Sequence, residues 1–310
     1  MKMALLYIML IVTMAIWGFN IIAIKLLVST FPTLTITTLR VFIAFISILP
    51  LLFIRHSWKK ISRRDGLYLL GISLTTIVGH QLFMSVGLNY TSAVNGGLIL
   101  GTVPIVTSVG AALFLQERFN IHKVTGFILG FCGVVVIILA GSDYRFNISI
   151  GDLLFCCTVI VQVIGFIFVK KISNSVDTLV ITGISQFFGG ILLIFVSMVF
   201  EPDGVYQLDQ GDWTVWMLFI FSGVIATGAG HYLYNLSIRE IGAGKSAIFL
   251  NFTPFFSILG SYFFLKESIV LGHWVGFLLV VMGVLFSTGI IQNSLRRSKY
   301  RDQIDRVKSS

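Results

Sequence analysis

Nine polar but formally uncharged side chains stand inside long apolar runs of this sequence: Asn20, His80, Gln81, Gln162, Gln186, His231, Tyr232, Tyr234 and Asn251. A polar group in hydrocarbon is costly unless it is hydrogen-bonded, so residues of this kind point to a site. Together they offer neutral donors and acceptors, the chemistry that binds a small zwitterion or polar metabolite stripped of its water. The competing reading is hydrogen bonding between helices, which Asn and Gln supply equally well. His80 and His231 carry more weight, because they occupy corresponding places in two related parts of the chain.

Catalysis lacks its ingredients. There is no His-Glu-x-x-His pattern, no Ser/His/Asp set and no pair of carboxylates inside an apolar run. Gly244-Lys245-Ser246 ends like a phosphate-binding loop, but the glycine required five residues earlier is Arg239, and no strand precedes it. Cys132, Cys156 and Cys157 all lie in apolar runs, without disulfide or metal-ligand spacing. No cofactor and no metal is expected, and the chain reads as a non-enzyme.

The elements that hold these residues follow from composition. Hydrophobic residues make up 56% of the 310-residue chain and charged residues only 11%, with a mean hydropathy of +0.95. An ordinary soluble domain carries about 25% charged residues. Apolar runs of about 20 residues, long enough to cross a hydrocarbon core of about 30 Å, recur from end to end. They predict transmembrane helices near 4–26, 34–54, 66–88, 93–115, 121–141, 150–170, 179–200, 213–236, 243–265 and 270–291. The first run has no small-residue cleavage site after it and reads as helix one, not as a removed signal peptide. The expected fold is therefore an all-α membrane protein of ten transmembrane helices.

A repeat organises them. Pro104, Gly110, Phe114, Leu115, Glu117, Gly126, Phe127, Leu129, Gly133 and Val134 return, each 150 residues later, as Pro254, Gly260, Phe264, Leu265, Glu267, Gly276, Phe277, Leu279, Gly283 and Val284. Such a period fits two halves of one duplicated unit, the ground plan of many secondary transporters. Residues 1–141 and 150–291 are the expected five-helix repeats, with a polar, basic tail over 292–310. An odd number of helices per half sends the second half in from the opposite side, so the repeats are expected to be inverted.

Charge placement gives orientation. With a cytoplasmic N-terminus, 18 of the 22 Lys and Arg residues fall on the cytoplasmic side, the positive-inside asymmetry. Both termini are then cytoplasmic, and the net charge of +9 reflects topology and anionic lipid rather than nucleic-acid binding.

The repeated Pro…Phe-Leu-x-Glu…Gly-Phe pattern in two five-helix halves resembles the EamA-type branch of the drug/metabolite transporter superfamily. Trp17-Gly18-Phe19-Asn20, Lys25 and Arg40 are similar to that family's other common marks. The resemblance covers the whole chain. It implies a multi-pass carrier of a bacterial plasma (inner) membrane, often an exporter of amino acids, related metabolites or drugs, working by alternating access. The alternatives are a multidrug or metabolite carrier acting as importer or exchanger, and a non-transporting accessory protein. The expected partners are a small-molecule substrate and the lipid bilayer, with no nucleic acid, and the chain is a monomer or a homodimer. With Trp17 added, the candidate substrate-binding set is Trp17, Asn20, His80, Gln81, Gln162, Gln186, His231, Tyr234 and Asn251.

Pro104 and Pro254 fall inside spans, where each frees a carbonyl and kinks its helix, and they are the expected gates. Lys25 and Arg40 are read as snorkelling or pairing with backbone carbonyls, the remaining reading being that Arg40 holds a carboxylate or a helix C-terminus. Glu117 and Glu267 are read as caps of the next helix. The spacings Gly97-x3-Gly101, Gly126-x3-Gly130 and Gly272-x3-Gly276 predict close internal packing. No Asp or Glu lies deep in a span, so any proton dependence is expected to run through His80 and His231.

Overall fold

The structure, a computed structural model, describes residues 3–54, 61–114, 121–141 and 149–287. Among these residues there is no strand. The chain order is α1 (Met3–Thr30), α2 (Thr33–Ile54), α3 (Arg63–Tyr90), α4 (Ala93–Leu100), α5 (Val103–Phe114), α6 (Ile121–Gly141) and α7 (Ile150–Ile172). It continues with α8 (Thr178–Phe200), α9 (Trp213–Ile241), α10 (Ala243–Phe249), α11 (252–265) and α12 (Leu271–Ser287). Seven helices among the described residues are long and apolar enough to cross a membrane, α10 and α11 counting together as one. Shorter apolar helices stand at the expected spans 93–115, 121–141 and 270–291. Large side chains such as Phe53, Phe131, Phe195, Phe200 and Phe263 are more than 60% exposed, a surface that suits lipid and not water. Glu117, the tail over 292–310 and most of the basic cluster at 55–60 lie outside the described residues.

Polar caps set where the helices begin. Ser62, Ser92, Ser149, Asp177 and Asp212 each accept a bond from an amide in the first turn that follows, answering donors that a helix start leaves open. Two further carboxylates reach across the chain. Glu201 accepts from Leu34 N at 3.0 Å and Thr35 N at 2.8 Å, at the start of α2. Glu267 accepts from Ala93 N and Val94 N, both at 2.9 Å, at the start of α4. Glu267 therefore caps a helix far upstream and not the next one, as its sequence position suggests. Lys266 takes up the left-handed conformation (φ 54°), which turns the chain back there.

The spans that hold Pro104 and Pro254 are both broken, whereas α2 runs unbroken through Pro50. α4 and α5 are separated by a turn at Gly101–Thr102, and α10 and α11 by one at Leu250–Asn251. Neither Pro104 nor Pro254 has an N–H to bond the carbonyl four residues back. The chain tightens instead into three-residue bonds, Ile105 N to Thr102 O and Thr253 N to Leu250 O, each at 3.0 Å. α3 and α9 depart from the regular ladder in the opposite sense. Each contains a wider π-helical stretch, Ser73–Gly79 and Phe221–Ala229, which ends just before His80 and just before Gly230–His231.

Glycine sets the closest approaches. A Cβ on Gly133 would stand 2.9 Å from Gly276 O, and one on Gly283 would stand 2.7 Å from Gly126 O. α6 and α12 thus pack backbone to backbone, as the Gly spacings imply. A Cβ on Gly101 would come within 2.7 Å of the Pro254 ring, so α4 and α11 meet at their proline breaks.

Candidate functional site

The breaks and the π stretches surround one cavity of about 50 Å³. Leu100 and Val103 line it from the first break, Leu250 and Thr253 from the second, and His80, Gln81, Ala226, Thr227 and His231 from or just beyond the π stretches. Trp17, Asn20 and Ile21 enter from α1, Met84 from α3 and Gln162 from α7. Six residues expected to bind substrate therefore share this wall: Trp17, Asn20, His80, Gln81, Gln162 and His231. Among the described residues no Asp or Glu lines it.

Trp17 fixes the cavity's aromatic side. Its indole N–H donates to Ala226 O at 2.8 Å, and its ring lies 5.6 Å from His231 and 5.2 Å from Tyr234. Gly230 makes this possible, since a Cβ there would stand 2.6 Å from Trp17 Nε1. His80 and His231, expected to correspond, face each other with ring centroids 6.4 Å apart. His80 Nδ1 and Asn20 Oδ1 are buried without a hydrogen-bond partner among the described residues. A polar solute would satisfy both.

Three expected residues sit elsewhere. Gln186 is buried behind the wall, its amide donating to Thr227 O at 3.1 Å. Tyr234 is buried between Trp17 and Phe166, 4.8 Å from the latter ring. Asn251 is half-buried in the turn that separates α10 from α11 and is not among the lining residues. Pro104 and Pro254 are buried next to lining residues.

The in-span cations have separate fates. Lys25 donates to Leu88 O and, at 2.9 Å, to Thr91 O, so it answers carbonyls at the end of α3, as expected. Arg40 does not. It is 1% exposed and donates to two side chains, to Gln81 Oε1 at 2.5 Å and to Ser222 Oγ at 3.1 Å. No ion pair involves Arg40 among the described residues. Burying a guanidinium without a carboxylate partner is costly, and such a group marks a functional place. Residues the sequence did not single out, Thr227, Thr253, Met84 and Ser222, complete the wall and its backing. Being small or apolar, they give no sign of this role in the sequence.

Asp152 is 2% exposed in the first turn of α7, where it accepts from Thr91 Oγ1 at 2.5 Å and Asn95 Nδ2 at 3.4 Å. His273 stands 3.1 Å from the Asn95 oxygen. This cluster ties α4, α7 and α12 together away from the cavity wall.

A helical body with lipid-compatible flanks and an internal cavity walled by polar side chains defines a multi-pass membrane protein. The chain belongs to the EamA-like transporter family, whose model matches it twice, over residues 4–139 and 149–289. It is similar to "Uncharacterized transporter YyaM" of Bacillus subtilis (strain 168), 30% identical over 260 residues, covering 80% of this chain and 82% of that protein. It is also similar to "WAT1-related protein At3g30340" of Arabidopsis thaliana, 24% identical and covering 74% of this chain and 71% of that one. A solved structure titled "Crystal structure of protein" superposes with a TM-score of 0.64 at 17% identity, over 91% of this chain and 98% of that one. That likeness concerns the fold. The protein is a membrane transporter.

Proposed function

We propose that the chain is a secondary carrier that exports a small polar or amphipathic metabolite, an amino acid or a related compound, by alternating access through the cavity described above. The observation that carries this reading is the convergence of paired helix breaks and paired π stretches on one chamber walled by Asn20, His80, Gln81, Gln162 and His231. Broken helices at a central site are how carriers expose backbone and polar groups to solute without exposing them to lipid. In this reading 1–141 and 150–291 are inverted repeats, with Pro104 and Pro254 as hinges at corresponding places. The Lys/Arg-rich side, with both termini, faces the cytoplasm of a bacterial inner membrane. The contacts of α4 with Glu267 and with Ser257, whose hydroxyl donates to Ala93 O at 3.1 Å, then close the outer end.

Counterflow in proteoliposomes tests the reading. Vesicles preloaded with an amino acid of the right class should take up the labelled form transiently, and vesicles without protein should not. Absence of counterflow across amino acids, organic acids and amines would refute the carrier.

A further inference from the structure

We propose that the cavity is an anion site: its ligand carries a carboxylate, held by the Gln81 amide with the positive charge of Arg40 behind it. The proposal rests on the reading of the cavity as the transport site and gives its substrate class. Three observations carry it.

First, Arg40 is buried and charged, yet its two bonds go to neutral groups, Gln81 and Ser222. A guanidinium has five N–H donors and does not give up its proton in a protein. An interior that keeps such a group with no counter-ion among the described residues favours a negative charge nearby. Second, that positive charge communicates with the cavity. Gln81 touches Arg40 and also lines the chamber, and Ser222 lies in the same π stretch as Thr227, which lines it too. Because arginine can only donate, the Gln81 amide must turn its oxygen to Arg40. Its NH₂ is left as the donor group of a wall residue, polarised by the charge behind it.

Third, the wall offers a cation no counter-charge: among the described residues no carboxylate lines it, and the buried Asp152 is occupied by Thr91 and Asn95. Asn20 Oδ1, buried and without a partner among the described residues, is a neutral acceptor suited to an N–H of the same ligand. The class is therefore an organic carboxylate, with or without an amino group, and not an organic amine. The apolar remainder of the wall (Trp17, Ile21, Met84, Leu250) takes its hydrocarbon part.

The test uses three probes on one hydrocarbon frame, 3-phenylpropionate, L-phenylalanine and phenethylamine, titrated onto the purified full-length protein by calorimetry. Phenylpropionate and phenylalanine should bind, and phenethylamine should bind at least ~10-fold more weakly than phenylpropionate. Arg40→Gln should weaken the carboxylates by ~10- to 100-fold, the range of a hydrogen bond to a charged partner, and should abolish the preference over the amine. Gln81→Glu guards against loss of fold. It gives the guanidinium an internal counter-ion, so the protein should stay folded while carboxylate binding is lost. Amine binding as tight as phenylpropionate, an unchanged preference in Arg40→Gln, undiminished carboxylate binding in Gln81→Glu, or no binding of either carboxylate would each overturn the site. Counterflow of amines alone would sink the anion site and leave the carrier standing. Arg40-dependent carboxylate binding without any counterflow would do the reverse.

Discussion

Replacing Glu267 by Gln should loosen the closed end of the chamber by an amount that follows from two bonds. The carboxylate accepts from Ala93 N and Val94 N, each at 2.9 Å, at a helix start. Hydrogen bonds to a charged group are worth about 1.5–3 kcal/mol, and neutral ones about 1. The dipole at a helix N-terminus adds about 0.3–1 kcal/mol for a negative charge. Gln keeps one oxygen and therefore one neutral bond. The half-buried position weakens both charged bonds, so a net loss of about 2 kcal/mol is expected, about thirtyfold in an equilibrium constant. If these contacts hold α4 against α11 in the closed form, the open population rises by that factor. The assay places a cysteine at Leu100, on the cavity wall, in a background lacking Cys132, Cys156 and Cys157, and follows its labelling by a membrane-impermeant thiol reagent added outside. Faster labelling in Glu267→Gln, with unchanged helix content, is the expected result. An unchanged labelling rate together with unchanged thermal stability would show that the cap holds nothing.

Pro254→Ala should restore a carbonyl partner and straighten the break at 250–251; turnover in proteoliposomes should fall while the protein stays folded and inserted. Unchanged transport in both Pro104→Ala and Pro254→Ala would refute the hinge role. Gly230→Ala puts a methyl 2.6 Å from Trp17 Nε1, so Trp17 should lose its bond to Ala226 O. That change is expected to weaken the best carboxylate ligand by ~5- to 30-fold, of the order of one overpacked contact of about 1–2 kcal/mol, as read by calorimetry.

The distribution of apolar residues made the helices legible, because a run long enough to cross hydrocarbon has few other fates in a chain so poor in charge. The breaks at Pro104 and Pro254 were legible because a missing N–H acts locally, although α2 carries Pro50 without a break. The π stretches before His80 and His231 were not. They arise from one extra residue accommodated within a turn, which no residue type announces. The placement of Gln186, Tyr234 and Asn251 off the wall was also hidden. In spans that are apolar on every side, periodicity does not say which face looks into a chamber and which into a neighbouring helix. Glu267 was read as a local cap because sequence offers only local partners. Its actual partner depends on the left-handed turn at Lys266 and on where α4 ends up. Arg40 stood out by its charge alone, and only its partners show how it is used.

Glu201 and Glu267 both lie in the second of the two family-matched segments, and the amides they receive lie in the first. The debt runs one way at these ends: α2 and α4 begin with bare donors that other residues of their own segment do not fully answer. Expressed alone, the first segment would leave those N–H groups without the carboxylates that receive them. The second would carry two acids with nothing to hold. Supplied together as separate polypeptides, the two should therefore rescue each other, and in one pairing only. Two copies of the first segment lack Glu201 and Glu267 and so should not substitute for the pair.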